Sequence, residues 1–166
     1  MKTVVQRVTR AAVWVNGETI AEIGRGLLLL IGVERGDTDA DAETTARKIA
    51  SLRIFPGRTP FDQTVAAAGG ECLVVSQFTL AASLSKGNRP SFEPAEEPAR
   101  AEALYARVVD QLGQEGLVVR TGRFGADMQV ELVNDGPVTF LVFTHGGALV
   151  KTRADPGANP VANPAG

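Results

Sequence analysis

The stretch Ala126-Asp127-Met128-Gln129-Val130-Glu131-Leu132-Val133-Asn134-Asp135-Gly136-Pro137-Val138-Thr139-Phe140-Leu141-Val142-Phe143 decides how this chain is read. Its first eight residues alternate apolar and polar side chains, the signature of a half-buried strand. Its last six are mostly β-branched and aromatic, as a buried strand should be. Between them, Asn134-Asp135-Gly136-Pro137 reads as a turn, which predicts a β-hairpin with a Gly-Pro pair at its tip. Proline removes a ladder donor, and glycine reaches backbone angles closed to other residues. Such a tip presents bare backbone on a rigid support. Two readings follow from that: an ordinary turn, or a device that senses stereochemistry at close range.

Working outward, the N-terminal half is also strand-rich. Val4–Val8 and Ala12–Val15 are predicted as two strands, the second closed by Asn16-Gly17, a tight-hairpin signal. The apolar run Leu27–Ile31, bounded by Gly26 and Gly32, predicts a buried strand that extends to Val33. Asp37-Thr38-Asp39 supplies helix-capping chemistry, and Ala42, Ala46, Ile49 and Arg53 share one face of the helix that follows. Glu43 and Arg47 form a favourable pair four residues apart. The segment from Phe55 to Gly70 is irregular. Glu71–Leu80 is predicted as a strand with a polar end, and Glu96–Leu112 as a second helix burying Ala101, Leu104, Tyr105, Val108 and Leu112. Gly113 and Gly116 can stop that helix, and Leu117–Thr121 opens the last group of strands. Mostly strands with two main helices place the chain in the α/β (α+β) class, with an antiparallel or mixed sheet rather than a doubly wound one.

At 166 residues the chain has the size of one domain. Residues 1–145 are expected to form it. Residues 146–166, with Pro156, Pro160 and Pro164 among glycines and alanines, are expected to be a disordered tail. No run approaches the roughly 18 apolar residues of a membrane helix, and Met1–Arg7 enters a strand pattern at once instead of resembling a signal peptide. With a single cysteine, Cys72, no internal disulfide can form. These features predict a cytoplasmic protein without membrane contact. The formal charge of −2 gives no global attraction to nucleic acid, so an RNA contact would need a local patch. Arg7, Arg10, Lys86, Arg89, Arg120 and Arg123 are the candidates for one, or else they are solvated surface.

Elimination narrows the chemistry. The single histidine, His145, stands beside Gly146-Gly147, a poor mount for the oriented base that a serine or cysteine nucleophile requires. Cys72 lies in an apolar strand and reads as core. No histidine, cysteine and carboxylate cluster has metal-ligand spacing, and neither a P-loop nor a dinucleotide fingerprint occurs, so neither metal nor cofactor is expected. What remains is Ser76-Gln77-Phe78-Thr79. As a continued strand, it would point Ser76 and Phe78 one way and Gln77 and Thr79 the other. It reads either as a strand end satisfying its own backbone, or as a polar pocket floor whose amides and hydroxyls hold a carbonyl or a ribose.

The chain resembles the D-aminoacyl-tRNA deacylase family. The resemblance is carried by Gln6–Ala11, Leu73–Ala81 with Ser76-Gln77-Phe78-Thr79, Arg89-Pro90-Ser91-Phe92, Ala101–Tyr105, Thr121–Phe124, and Met128–Thr139 with its Asn-x-Gly-Pro-x-Thr core. It spans about Met1 to Phe143 with the motifs in order. It implies a sheet curling into a barrel-like core, and a homodimer that hydrolyses the ester between a D-amino acid and its tRNA, with active sites at the subunit interface. It further implies a cis Gly136-Pro137 peptide inserted into the other subunit's site, excluding L side chains while admitting D-amino acids and glycine. Ser76, Gln77, Phe78 and Thr79 would form the catalytic pocket, with Asn134, Thr139 and Arg7 joining Gly136 and Pro137 in substrate binding. Catalysis would draw on the terminal 2′-hydroxyl of the tRNA. The alternatives are a non-catalytic dimeric RNA- or metabolite-binding module, and a serine or threonine hydrolase of small D-amino-acid esters. Pro60-Phe61-Asp62 departs from the Met-Asn pair of the family pattern.

Overall fold

A computed structural model describes residues 1–85 and 87–150. Its elements, in chain order, are β1 (Lys2–Val15), β2 (Glu18–Ile23), β3 (Gly26–Gly32), α1 (Asp39–Ser51), β4 (Glu71–Ser76), a 3₁₀ turn (Phe78–Ala81), α2 (Pro98–Gln114), β5 (Val119–Thr121), β6 (Gln129–His145) and β7 (Ala148–Leu149). The sheet runs β5-β4-β3-β1-β6-β7, with β2 also paired to β1. The β3–β4 and β4–β5 pairs are parallel, the others antiparallel. This is the expected α/β mixed sheet with two main helices, curled into a half-barrel.

The strand β1 organises the curl. Its first half pairs with β3, from Lys2 opposite Gly32 to Val8 opposite Gly26, and its second half with β2. Its other edge carries β6 for nearly its whole length, from Lys2 opposite Phe143 to Trp14 opposite Gln129. Alternation along β3 and β4 then separates two cores. Leu27, Leu29, Ile31, Cys72 and Val74 face the helices, against Ala46, Ile49, Leu104 and Val108. Leu28, Leu73 and Val75 face the hollow of the curl with Val8, Val13 and Ile23. At the start of α1, the Asp41 carboxylate accepts from the Thr38 backbone N–H and hydroxyl, at 2.9 and 2.8 Å. The five positions expected to be buried on α2 all are. Asn16 and Gly17, with φ of 52° and 82°, form the expected turn between β1 and β2.

Several expectations are corrected. The predicted hairpin over Ala126–Phe143 is instead one strand, β6, starting at Gln129. Asn134–Pro137 does not reverse the chain; it bulges out of the ladder. Val8 opposes Asn134 and Gln6 opposes Thr139, so a two-residue step on β1 is matched by a five-residue step on β6. Gly-Pro marks a break in pairing, and a bulge satisfies that as well as a turn does. Val4–Val8 and Ala12–Val15 are parts of the single strand β1: Thr9 and Arg10 interrupt the apolar pattern but stay extended, and Arg10 reaches across to Glu131. The strand expected to reach Leu80 stops at Ser76, where the chain winds into the 3₁₀ turn, so alternation does not govern Gln77–Thr79. Arg53 lies beyond α1 and binds Asp62, not the helix face. Gly146–Val150 folds back: β7 pairs with the end of β6, and the Gly147 N–H donates to Asp41 at 2.8 Å. The rest of the expected tail, 151–166, lies outside the described residues.

Candidate active site

A cavity of about 380 Å³ opens where the end of β4, the 3₁₀ turn, the start of α2 and the 124–128 loop converge. Its floor is apolar (Ile31, Val33, Val75, Ala101, Met128) and its rim carries Ser76, Gln77 and Phe78. The polar end of β4 is held by the sheet itself. Ser76 is opposite Ile31 on β3, and the Gln77 N–H donates to the Ile31 carbonyl at 2.7 Å. Thr79 joins the site through Gln77, whose side-chain amide donates to its hydroxyl at 2.6 Å. The first amides of a helical turn have no acceptor inside it, so the N–H groups of Phe78 and Thr79 are donors this segment offers. Phe78 is exposed at the mouth.

Among the described residues, no side chain at this cavity is equipped as a strong base. Tyr105, on the wall, donates its hydroxyl to the Val74 carbonyl at 2.8 Å, and burial pushes its pKa well above the ordinary phenol value. Glu96 is paired with Arg100 at 3.2 Å. Asp127 is exposed at the rim. His145 ends β6, opposite Ala148, and is not part of the lining. Cys72 is fully buried, its thiol pushed up to about 12 by burial, with Glu71 adding to the shift.

The remaining expected site residues gather elsewhere, around the β6 bulge. Gly136-Pro137 is a cis peptide, and both residues are exposed. The bulge is braced from within and from below. The Asn134 side chain donates to the Thr139 hydroxyl at 2.8 Å and accepts from the Val138 N–H at 3.1 Å. Arg7 is no surface cation: only 8% exposed, it donates to the Ile54 carbonyl at 2.7 Å and to the Asp135 carbonyl at 3.2 Å, and pairs with the Asp135 carboxylate at 3.1 Å. Arg7 therefore holds the bulge. Exposed Val133, Phe140 and Leu141 flank it, and Phe61 meets Phe140 edge-on at 6.3 Å.

The expected residues thus fall into two groups: Ser76, Gln77 and Phe78 at the cavity with Thr79 hydrogen-bonded to Gln77, and Arg7, Asn134, Gly136, Pro137 and Thr139 at the bulge. None of the second group lines the cavity. Along β6, cavity-lining Val130 and Gly136 are separated by on the order of 15–20 Å at a strand rise of about 3.3 Å per residue. Sequence reading did not single out Glu96, Tyr105, or the Phe124–Met128 loop as lining. Ala126–Met128 of the loop were hidden inside an apparently regular strand, and Tyr105 inside a helix stripe.

A model of the family described as D-Tyr-tRNA(Tyr) deacylase matches residues 4–143. A Magnetococcus marinus protein named D-aminoacyl-tRNA deacylase is 55% identical over 141 residues, covering 84% of this chain and 93% of the relative. Another of that name from Geobacter sulfurreducens is 50% identical over 145 residues, covering 87% and 95%. A solved structure of a protein named c-Myc DNA Unwinding Element Binding Protein superposes with a TM-score of 0.81 at 43% identity, covering 87% of this chain and 99% of that one. Fold and relatives define a hydrolase of the deacylase class. The chain belongs to the D-Tyr-tRNA(Tyr) deacylase family.

Proposed function

We propose that this protein is an editing esterase of the cytoplasm that removes D-amino acids, and glycine, from tRNA while sparing L-aminoacyl-tRNA. It acts as a homodimer. The observation that carries this reading is the division of the site on one protomer: an apolar cavity rimmed by Ser76, Gln77 and Phe78, and a braced, exposed Gly136-Pro137 bulge distant from it. A partner copy brings the two together, its bulge closing the cavity against bare backbone. The exposed apolar residues around the bulge, Val133, Phe140 and Leu141, supply the surface such a partner would cover.

Each part then has a task. The cavity receives the terminal aminoacyl-adenosine. The partner's Gly136 and Pro137 face the α-carbon, where main-chain atoms leave no room for an L side chain but pass hydrogen. Water attacks the ester carbonyl, assisted by the adenosine's own 2′-hydroxyl, and the amino acid leaves as its carboxylate while the 3′-hydroxyl is regenerated. Positioning alone contributes about 7–11 kcal/mol to such a step, and one well-aimed amide donor about 3–4 kcal/mol. A site without a side-chain base can therefore turn over.

A second reading has one observation in its favour: the solved relative at 43% identity is named for binding a DNA element. Under it the fold is a nucleic-acid-binding module without turnover. Deacylation of D-tyrosyl-, L-tyrosyl- and glycyl-tRNA by the purified protein separates the two. Editing requires release from the first and last, and little from the L form. Absence of all turnover leaves the binding module, and equal D and L rates remove chiral selection. Light scattering must find a dimer; a monomer active on D-tyrosyl-tRNA would refute the shared site. Substrate ending in 2′-deoxyadenosine should be nearly inert.

A further inference from the structure

Beside the cavity mouth stands a second feature. The exposed rings of Phe78 and Phe92 lie with centroids 5.0 Å apart, tilted by 53°. They are 60% and 42% exposed, unusual for large apolar side chains packed on each other. Phe78 also lines the cavity, so the pair continues its rim outward. The backbone beneath Phe92 is tied on both sides. Ser83 and Ser91 exchange backbone hydrogen bonds at 2.8 and 3.0 Å, the Phe92 carbonyl accepts from the Ala95 N–H at 3.0 Å, and the Glu96 N–H reaches Val33 on the sheet side at 3.1 Å. Two rings are thus presented to solvent on an anchored frame, next to a pocket sized for the end of a substrate.

We propose that the Phe78–Phe92 pair is a stacking platform for the unpaired nucleotide immediately 5′ of the terminal adenosine. This rests on the function proposed above, which puts that adenosine in the cavity. A base has an aromatic face whatever its identity, and exposed rings along a single strand's path are the general means of holding one. The charges nearby favour stacking over phosphate attraction. Arg89 lies three residues before Phe92, but Glu93 follows it directly and Glu96 lines the cavity. Binding through this platform is accordingly tolerant of base identity and only weakly dependent on salt.

The test compares two substrates, D-tyrosyl-tRNA and 3′-O-D-tyrosyl-adenosine, which lacks the preceding nucleotide. Phe92→Ala and Phe92→Leu, the second keeping apolar bulk without a ring, should each raise KM for the tRNA about tenfold, the scale of one lost base–aromatic stack. Their kcat should stay within about twofold, and kinetics on the short substrate should match wild type, which also shows that the variants are folded. Phe92→Tyr should restore the tRNA KM. Equal losses on both substrates, or no loss on the tRNA, would overturn the platform while leaving the esterase intact. If wild type hydrolyses neither substrate, the functional proposal fails by itself, and anisotropy with the ribotrinucleotide CCA against adenosine decides the platform. Selective weakening of CCA by Phe92→Ala supports it, and equal weakening or none refutes it.

Discussion

Replacing Gly136 by alanine tests the bulge with a single methyl group. Gly136 sits at φ +124°, in the half of the backbone map that side-chain-bearing residues rarely enter. A Cβ there would lie 2.7 Å from Val138 Cγ2, 3.0 Å from Arg7 Nη2 and 3.2 Å from the Val138 backbone nitrogen. The backbone conformation alone costs about 1–3 kcal/mol for alanine. Crowding against neighbours that cannot retreat adds about 1–3 kcal/mol. Retreat is hard here: Arg7 is held by Ile54 and Asp135, and Val138 by Asn134. Gly136→Ala should therefore cost about 2–6 kcal/mol, or lower Tm by roughly 4–24 °C at about 2–4 °C per kcal/mol for a chain of this size. If the bulge shifts to relieve the crowding, the Tm loss shrinks and the cost appears in function, as slower release from D-tyrosyl-tRNA and poorer separation of D from L. Gly24→Ala is the control, because a Cβ at Gly24 meets nothing within 4 Å and its φ is ordinary. Calorimetry and the D and L deacylation rates read both outcomes. A Gly136→Ala protein with wild-type Tm and wild-type rates on both isomers would refute the account of the bulge.

Arg7→Lys keeps the charge beside Asp135 but not the fork that also satisfies the Ile54 carbonyl. An orphaned buried acceptor costs about 1–3 kcal/mol, so a Tm lowered by several degrees and reduced D-tyrosyl-tRNA turnover are expected; full activity would show that the bulge needs no brace. Thr79→Ala removes the acceptor of the Gln77 side chain but no base-activated nucleophile, and should retain activity within about tenfold. Collapse to the uncatalysed rate with binding intact would make Thr79 catalytic after all. Alkaline pH offers a further check. Burial raises the Cys72 pKa from 9.0 to about 12 in the folded chain. A folded pKa above the unfolded one contributes stability that is complete below pH 9 and lost as pH climbs toward 12. Denaturant melts should therefore show wild type losing stability between those limits more steeply than Cys72→Ala, which retains only the parallel contribution of Tyr105. Identical slopes would contradict a buried neutral thiol.

Local chemistry was enough for much of this protein. Thr38 and Asp41 cap α1 through side chains three residues apart, and the stripe from Ala101 to Leu112 could bury only one face of a helix. The Asn16-Gly17 pair admits the positive φ angles of a tight turn that few other residues accept. Motif order along the chain was equally sufficient for the family, and with it Ser76–Thr79 and Gly136-Pro137 stood out from sequence alone. What failed were inferences about where a strand starts, stops or turns, because those depend on a partner distant in sequence. Gly-Pro says that a ladder is broken, not whether the chain turns back. Only β1, more than a hundred residues earlier and long enough to pair on both sides of the break, made β6 one strand with a bulge.

The site follows the same division. The composition of Ser76-Gln77-Phe78-Thr79 was legible, but its shape was not, because the change from strand to 3₁₀ turn occurs where the pairing of β4 with β3 ends at Ile31 opposite Ser76. Arg7 was legible as one of several scattered cations or, by family resemblance, as a substrate-binding residue; its place beneath Asp135 and against Ile54 came only from tertiary packing. Residue types, spacing and capping are short-range properties, so the sequence alone sufficed for the two helices, the strand-rich class and the family. Strand partners, the burial of a cation such as Arg7, and the separation of cavity from bulge are set by contacts between remote segments, and only the folded chain fixes those.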